Sequence, residues 1–501
     1  MKVLRMLIVP LLLLVATLSA TAEEVKEYRA SMFGIKSDGV TVNTRSIQHA
    51  IDYISENGGG RLLFYVGRYL TGTIHLKSNV ELHLKEGAIL VGSTNPYDYD
   101  YCEGRMDMGL IMAYKQHNIK VTGQGVVDGQ GRQTALNRQQ QIYLGYITDD
   151  YNNMRYDRAS RRPNLFYFRE CSDVTVDGII AKNSAMWTLH FDQCDNLLIQ
   201  NVSVDSKNYW NNDGIDVVDC NHVLVQNCYV DASDDAICLK SHDASKLCQN
   251  VEVRNCVARS SANGIKFGTM GVGGFKNIKI INNQVYDTYR SAFTIASVDG
   301  GIVDNVLVDS LYSANTGNAI YLRIGDRRNK RASLRNVTIQ NSTFEVVAHK
   351  ADSGYMYEGP IEDNPRNLSP ASIVGLAGNN IEGVTLRNVQ IIHDGGGNRN
   401  YAYLGTSNKE LESIPEMEKA YPEFSQFKEL PAWGFYVRHA KDIVFDNVTF
   451  TLMHADYRPA VVMSDVNGVS LKDVRYHFRD SDKPITKPEP LILHKCTKVE
   501  K

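Results

Sequence analysis

Along most of this chain, apolar and polar residues alternate in short runs, and one phrase of that alternation keeps returning. A polar residue leads, β-branched or aliphatic residues follow at every second place, and Asn or Asp closes the run. The phrase stands as Asp173-Val-Thr-Val, Asn196-Leu-Leu-Ile-Gln-Asn-Val, His222-Val-Leu-Val-Gln-Asn-Cys and Asn250-Val-Glu-Val-Arg-Asn-Cys. It continues as Asn277-Ile-Lys-Ile, Ile302-Val-Asp-Asn-Val, Asn336-Val-Thr-Ile-Gln-Asn, Gly383-Val-Thr-Leu-Arg-Asn-Val, Asp442-Ile-Val-Phe-Asp-Asn-Val and Gly468-Val-Ser-Leu. The first apolar residues fall at 174, 197, 223, 251, 278, 303, 337, 384, 443 and 469, and earlier copies begin at Asn79-Val and Asn118-Ile.

Short strands at a period of 23 to 28 residues, with no helical stretch between them, are not βαβ units, because those need a helical crossover. A β-sandwich also has short alternating strands but lacks one phrase recurring in register. The pattern predicts an all-β chain, a right-handed parallel β-helix in which each coil covers the apolar face of the next. Ahead of the coils, Thr44 to Ser55 carries apolar residues at Ile47, Ala50, Ile51 and Ile54, the spacing of a short amphipathic helix that caps one end of the solenoid. Asn201, Asn227, Asn255 and Asn341 each follow a strand, where a stacked Asn tolerates left-handed backbone and bonds to its neighbours up and down the coils.

Composition adds little to this and excludes more. With 54 basic and 57 acidic residues the chain has a net charge of −3, so a nucleic-acid partner held by a basic field is not expected. A hydrophobic content of 43% leaves ample material for a core. The 501 residues would fit about three ordinary domains, but a solenoid lengthens by adding coils, and the reading is one β-helix domain over 23–501. Residues 1–22 read as a secretory signal peptide: Lys2 and Arg5, an apolar stretch from Met6 to Leu18, then Ala20-Thr21-Ala22. That stretch falls short of the roughly 20 residues of a membrane span, and an N-terminal anchor helix is the alternative. An exported, periplasmic or secreted monomer with no membrane span is expected. Two long insertions, near 345–380 and 394–435, interrupt the period, and their Tyr355, Tyr357, Tyr401, Tyr403, Tyr421, Trp433 and Phe435 favour the shaping of a cleft.

Of nine cysteines, Cys171, Cys194, Cys220 and Cys248 each sit three residues before a strand's first apolar residue, and Cys228 and Cys256 five after it. Equivalent places in adjacent coils lie ~4.8 Å apart with side chains parallel, which is poor disulfide geometry. A stacked and mostly reduced ladder is expected, with room for one or two bridges after export.

The candidate chemistry lies in two acidic turns, Asn211-Asn212-Asp213-Gly214-Ile215-Asp216 and Ser233-Asp234-Asp235-Ala236-Ile237. Asp213 and Asp234 are 21 residues apart, close to one coil, so their carboxyls share a patch of surface. Carboxyls that close push one pKa upward, which keeps one protonated as a general acid beside an ionised base. From spacing alone, calcium binding and a solvated acidic turn stay open as alternatives.

At these residues the sequence resembles glycoside hydrolase family 28, the polygalacturonase family. Asn211-Asn212-Asp213 is similar to its Asn-Thr-Asp motif with Asn for Thr, and Asp234-Asp235 to its paired aspartates. The resemblance extends to Phe33-Gly34-Ile35-Lys36-Ser37-Asp38-Gly39 and to Tyr69 through Ser78. It implies hydrolysis of a pectic polysaccharide with inversion, Asp234 as general acid and Asp213 with Asp235 activating water, and no cofactor or metal. It also implies substrate contacts at Asn211, Asn263, Gly264, Lys266 and Arg323.

Two motifs depart from the family. Its Gly-His-Gly appears as Ala262-Asn263-Gly264, so Asn263 takes the histidine's place and carries no charge. Its Arg-Ile-Lys appears as Arg323-Ile324-Gly325, keeping an arginine able to grip a carboxylate and losing the lysine. Lys266 is a candidate replacement cation, or else a solvated lysine on a strand. A site with one fewer cation suggests a rhamnogalacturonan or other branched galacturonide, cleaved from an end if the insertions close the groove. His190 and Arg438-His439 are further candidates for sugar contact, with structural roles as the alternative. Two other readings compete: a β-helix lyase acting on uronates by β-elimination, and a carbohydrate-binding β-helix that has lost activity.

Overall fold

In the computed structural model the described residues are 25–149, 161–349, 368–402, 405–479 and 489–501. The leader predicted over 1–22 lies outside them, as do Tyr355, Tyr357 and Tyr403, and of Tyr401 only the backbone is described.

The coils form a right-handed parallel β-helix. A representative coil has strands Leu189–Asp192, Asp195–Gln200 and Ser203–Ser206, each paired in parallel with the matching strand one coil on, Ile215–Val218, Asn221–Gln226 and Tyr229–Ala232. The recurring phrase is the second of these strands. Its leading apolar residues stack as Val174, Leu197, Val223, Val251, Ile278, Val306, Val337, Val384, Ile443 and Val469. One register was misjudged from sequence. Val303 lies three residues too early, opposite Phe275 and Leu334, and Val306 is the residue in the column. Two places on, Val176, Ile199, Val225, Val253, Ile280, Val308, Ile339, Leu386 and Phe445 form a second buried column. One continuous core holds both columns, and each coil supplies the apolar lid of its neighbour.

The corners are held by side-chain ladders. Asn255 donates to Asn227 (3.3 Å), Asn282 to Asn255 (2.7 Å), Asn388 to Asn341 (3.0 Å) and Asn447 to Asn388 (2.9 Å). Asn201, Asn227, Asn255 and Asn341 all have φ between 51° and 56°, the left-handed region Asn tolerates because its short amide bonds locally. All nine cysteines are free, and Cys171, Cys194, Cys220 and Cys248 stack in the buried column their spacing predicted.

Helix α1, Thr44–Glu56, buries Ile47, Ala50, Ile51 and Ile54 and caps the first coils as expected. A second helix, α2 (Gly131–Tyr143), was not foreseen. Its apolar residues have no helical spacing, and it buries Thr134, Ala135, Arg138 and Gln139 instead. The second insertion folds back onto the outward face of the solenoid. A five-residue helix, α3 (Asn408–Glu412), opens with a capping box at Ser407. Leu411, Ile414, Phe424, Phe427, Leu430 and Ala432 then pack on Tyr321, Val374, Tyr436 and Val462. Two of the aromatics assigned to a cleft belong to the main core: Trp433 is 1% and Phe435 0% exposed. The chain re-enters the strand pattern there, and apolar rings at strand positions are buried.

Ile280→Ala is expected to lower stability by about 2–5 kcal/mol through the cavity it leaves. Asn255→Ala should cost about 1–2 kcal/mol from left-handed strain and a lost hydrogen bond. Midpoints of urea unfolding measure both, and equal losses would erase the distinction between core and corner.

Candidate active site

The site lies on the outward face of the strands Ile215–Val218, Ile237–Ser241 and Ile265–Gly271 and on the turns just before them. Ile215, Ile237, Ile265 and Phe293 pair in successive coils and point inward. The next residue of each faces outward, so Tyr167, His190, Asp216, Cys238, Lys266, Thr294 and Tyr321 form one column. Counting back from the isoleucines puts Asp213, Asp235, Asn263 and Ser291 in a second column, and Asn212, Asp234, Ala262 and Arg290 in a third. Three aspartates from two turns thus meet, each presenting a carboxyl oxygen within 4.8 Å of the others.

Asp213 and Asp216 share one cation. The Lys240 ammonium lies 3.1 Å from Asp213, 2.9 Å from Asp216 and 3.0 Å from Cys238 Sγ, and 4.5 Å from the centre of the Trp187 ring. Those three ligand atoms could collect a metal ion, but the ammonium already stands among them. Burial pushes Asp216 up to about 7 and Asp213 well above the usual carboxylate range, with Lys240 pulling both down.

Asp235 is the most fully bonded carboxylate of the site. Lys266 Nζ reaches Oδ2 at 2.7 Å, while Asn263 donates to Oδ1 from its side chain (2.7 Å) and its backbone N–H (3.2 Å). Burial opposes ionisation, yet Lys266, Lys240 and Arg290 outweigh it and hold Asp235 at about 2. Lys266 is buried, so it is no solvated strand lysine. Asn263 cannot carry the histidine's charge, but its oxygen accepts from Ser291 N and Thr294 Oγ1 and fixes the amide toward Asp235. It supplies orientation while Lys266 supplies charge.

Asp234 has no ion pair among the described residues. Its carboxyl takes a long contact from Asn211 Nδ2 (3.5 Å) and caps the N–H of Asp235 at 2.9 Å. Burial and then Asp235 raise its pKa. Asn211 is itself held by Arg162 at 3.1 Å, and Asn212 is a buried pin bonded to Ser184 O and Met186 O.

Five of the residues expected to contact substrate make structural contacts in the fold. Gly264 is a packing position, where a Cβ would meet Val285 Cγ1 at 2.4 Å. Arg323 is 1% exposed, stacks on Phe427 and donates to the carbonyls of Gly375 (2.9 Å) and Glu416, which ties down the second insertion. Both of its Nη atoms donate to backbone carbonyls, which makes it an anchor of the insertion. Gly325 has the same origin: the Glu418 carbonyl lies 3.1 Å from where its Cβ would be, so insertion backbone fills the lysine's space. Arg438 and His439 likewise bind the insertion, at Ile414 O and Glu416. His190 is buried between the Tyr167 and Trp187 rings, 4.6 Å from each, and lines a small pocket with Met106, Arg162 and Met186. Burial, then His242 and Lys240, holds it neutral.

Sequence reading missed Lys240, Arg290 and Glu423, and it named Asp216 in an acidic turn and Tyr421 in a cleft-shaping insertion without giving either a partner. Cys238, the register partner of Asp216, and Lys240 alternate outward along the strand Ile237–Ser241, so counting two on from Cys238 reaches Lys240. Tyr421 and Glu423 come from the insertion, and no local signal marks where they land. Tyr421 Oη lies 3.4 Å from Lys266 Nζ, and Glu423 pairs with Arg290 at 2.7 Å.

A parallel β-helix with clustered carboxyls and buried cations on its outer face suits a glycoside hydrolase. Comparison narrows the class: the sequence model described as Glycosyl hydrolases family 28 matches residues 65–306, and the chain belongs to that family. An exo-poly-alpha-D-galacturonosidase of Dickeya chrysanthemi is 24% identical over 75% of this chain and 73% of its own length. Two solved structures share the fold. An exopolygalacturonase of Thermotoga maritima has a TM-score of 0.61 at 22% identity, over 85% of this chain and 91% of its own. A family 28 exopolygalacturonase of Yersinia enterocolitica has a TM-score of 0.60 at 21% identity, over 95% and 78%.

Lys266→Met removes the cation that outweighs burial at Asp235, whose ionised form then persists only at higher pH. The acidic limb of kcat/KM is expected to rise by about one pH unit or more, and an unmoved limb would detach Lys266 from Asp235.

Proposed function

We propose that the protein is an exported, exo-acting hydrolase of α-linked galacturonide chains of pectin. The observation that carries this reading is the division of charge at the paired aspartates: Asp235 is bonded by Lys266 and Asn263, while Asp234 beside it has no cation of its own among the described residues. Asp234 donates its proton to the glycosidic oxygen as the C–O bond breaks. Water attacks the anomeric carbon and gives its proton to Asp213 or Asp235.

The carboxyl oxygens lie within 4.8 Å of one another, closer than the roughly 6.5–9.5 Å usual for an inverting pair. Inversion is nonetheless the better reading. Asp235 accepts from Lys266 and Asn263 and Asp213 from Lys240, which weakens both as nucleophiles, while each keeps lone pairs that can orient a water. Exo action is supported by the second insertion, which packs on the outward column from Tyr321 onward and walls the groove beyond Lys266. The relatives named exo-poly-alpha-D-galacturonosidase and exopolygalacturonase support the substrate class and the end-cutting mode. The lysine absent at Gly325 leaves Lys266 as the buried cation nearest the aspartates on the insertion side, which suits a galacturonide chain interrupted by neutral sugars, as in rhamnogalacturonan.

Incubation with a panel of pectic oligosaccharides is expected to release one sugar or disaccharide at a time, with new reducing ends and no ultraviolet absorbance. Unsaturated products would instead identify a lyase. Proton NMR of the first product should show the inverted anomer. Asp234→Asn should cut turnover 10²–10⁴-fold, and survival within about tenfold would remove Asp234 from the acid role.

A further inference from the structure

Arg290 stands in the column of the general acid. The pairing of Ile237, Ile265 and Phe293 places Asp234, Ala262 and Arg290 at the same position of three successive coils. Backbone bonds from Arg290 N to Ala262 O (2.9 Å) and from Ala236 N to Asn263 O (2.9 Å) hold that stack. Ala262, between them, is a methyl group, so a long side chain two coils away has an open path toward Asp234. Arg290 is 7% exposed and therefore brings a buried positive charge to the site.

That charge is taken by the insertion. Glu423 Oε1 lies 2.7 Å from Arg290 Nη2, and two residues earlier Tyr421 rests on Lys266, with the ammonium 5.5 Å from its ring centre. One three-residue stretch, Tyr421-Pro422-Glu423, thus touches both the cation of Asp235 and a cation whose charge acts on Asp234.

We propose that Glu423 and Arg290 are positioning residues of this hydrolase: by holding Arg290, the insertion's carboxylate keeps it from forming an ion pair with Asp234, and so keeps Asp234 protonated as the acid. This rests on the assignment of Asp234 as general acid. The groups that face Asp234 are Asp235 on its own turn, Asp213 and Asn211 on the preceding coil, Lys240 and Lys266 on the strands, and Arg290 above. Arg290 in turn faces Glu423, Tyr421, Asp234 and Asp235. A buried arginine released from one carboxylate is driven to another, because an unpaired buried charge is costly.

The test compares Glu423→Gln, Arg290→Gln and the double variant in the full chain, with circular dichroism melts to establish that each folds. The basic limb of kcat/KM on oligogalacturonide reports the acid. Glu423→Gln frees Arg290 and should move that limb to lower pH by about one unit. Arg290→Gln should move it to higher pH, and the double variant should lie near wild type. If one variant does not fold, the other decides by its direction. A limb unmoved in a folded single variant, with activity merely reduced, overturns the proposal. Carbodiimide coupling of the Asp234 peptide across pH, read by mass spectrometry, follows the same protonation without turnover. If wild-type enzyme fails to hydrolyse the substrate while this labelling still shifts with Glu423→Gln, the substrate reading has failed and the charge relay stands. Labelling that does not shift refutes the relay itself.

Discussion

Each coil of this solenoid leaves an apolar face that only the next coil can cover, and the parallel register that covers it dictates everything else. A column such as Val174, Leu197, Val223 and Val251 excludes water only while the coils stay aligned residue for residue. The same alignment, carried around the corner, stacks the outward residues. Asp213, Asp235 and Asn263 meet because Ile215, Ile237 and Ile265 are packed beneath them. The geometry of this cluster is a by-product of hydrophobic stacking.

Stacking like residues at coil spacing crowds like charges, and the site is organised around that cost. Four buried or half-buried aspartates face two buried lysines, and each lysine is assigned by geometry: Lys240 to Asp213 and Asp216, Lys266 to Asp235. Asp234 is left over. Burial and the neighbouring Asp235 raise the Asp234 pKa while Lys266 outweighs burial at Asp235, so adjacent carboxyls differ in acidity. Asn263 shows how the arrangement tolerates loss of a charged neighbour, since hydrogen bonds fix Asp235 and a lysine from the adjoining strand supplies the charge.

The second insertion bears on one of the two departures from the family pattern. It packs where the lysine after Arg323-Ile324 would stand, binds Arg323 through carbonyl oxygens, and delivers Tyr421 and Glu423 to the groove. At Gly325 a Cβ would meet both Val298 Cγ1 at 2.9 Å and the Glu418 carbonyl of the insertion at 3.1 Å. A residue prized for ligand binding in one chain becomes an anchor for a loop in another when backbone oxygens reach it first.

The sequence by itself determined the solenoid, the capping helix, the corner asparagines and the free cysteine ladder, because each depends on residues that interact with their own copies one period away. It also located the three aspartates, whose spacing is that same period. It missed helix α2, which has no apolar stripe, and it misplaced Val303 by three residues where two equally apolar registers competed. Only the tertiary structure decided which cation serves which aspartate, that Arg323, Gly264, Arg438 and His439 hold the scaffold together, and that residues near 420 stand beside residues near 266 and 290. Those contacts join segments about 130 to 155 residues apart through an insertion that obeys no repeat. Where periodicity ends, nothing local in the chain records what a side chain will meet.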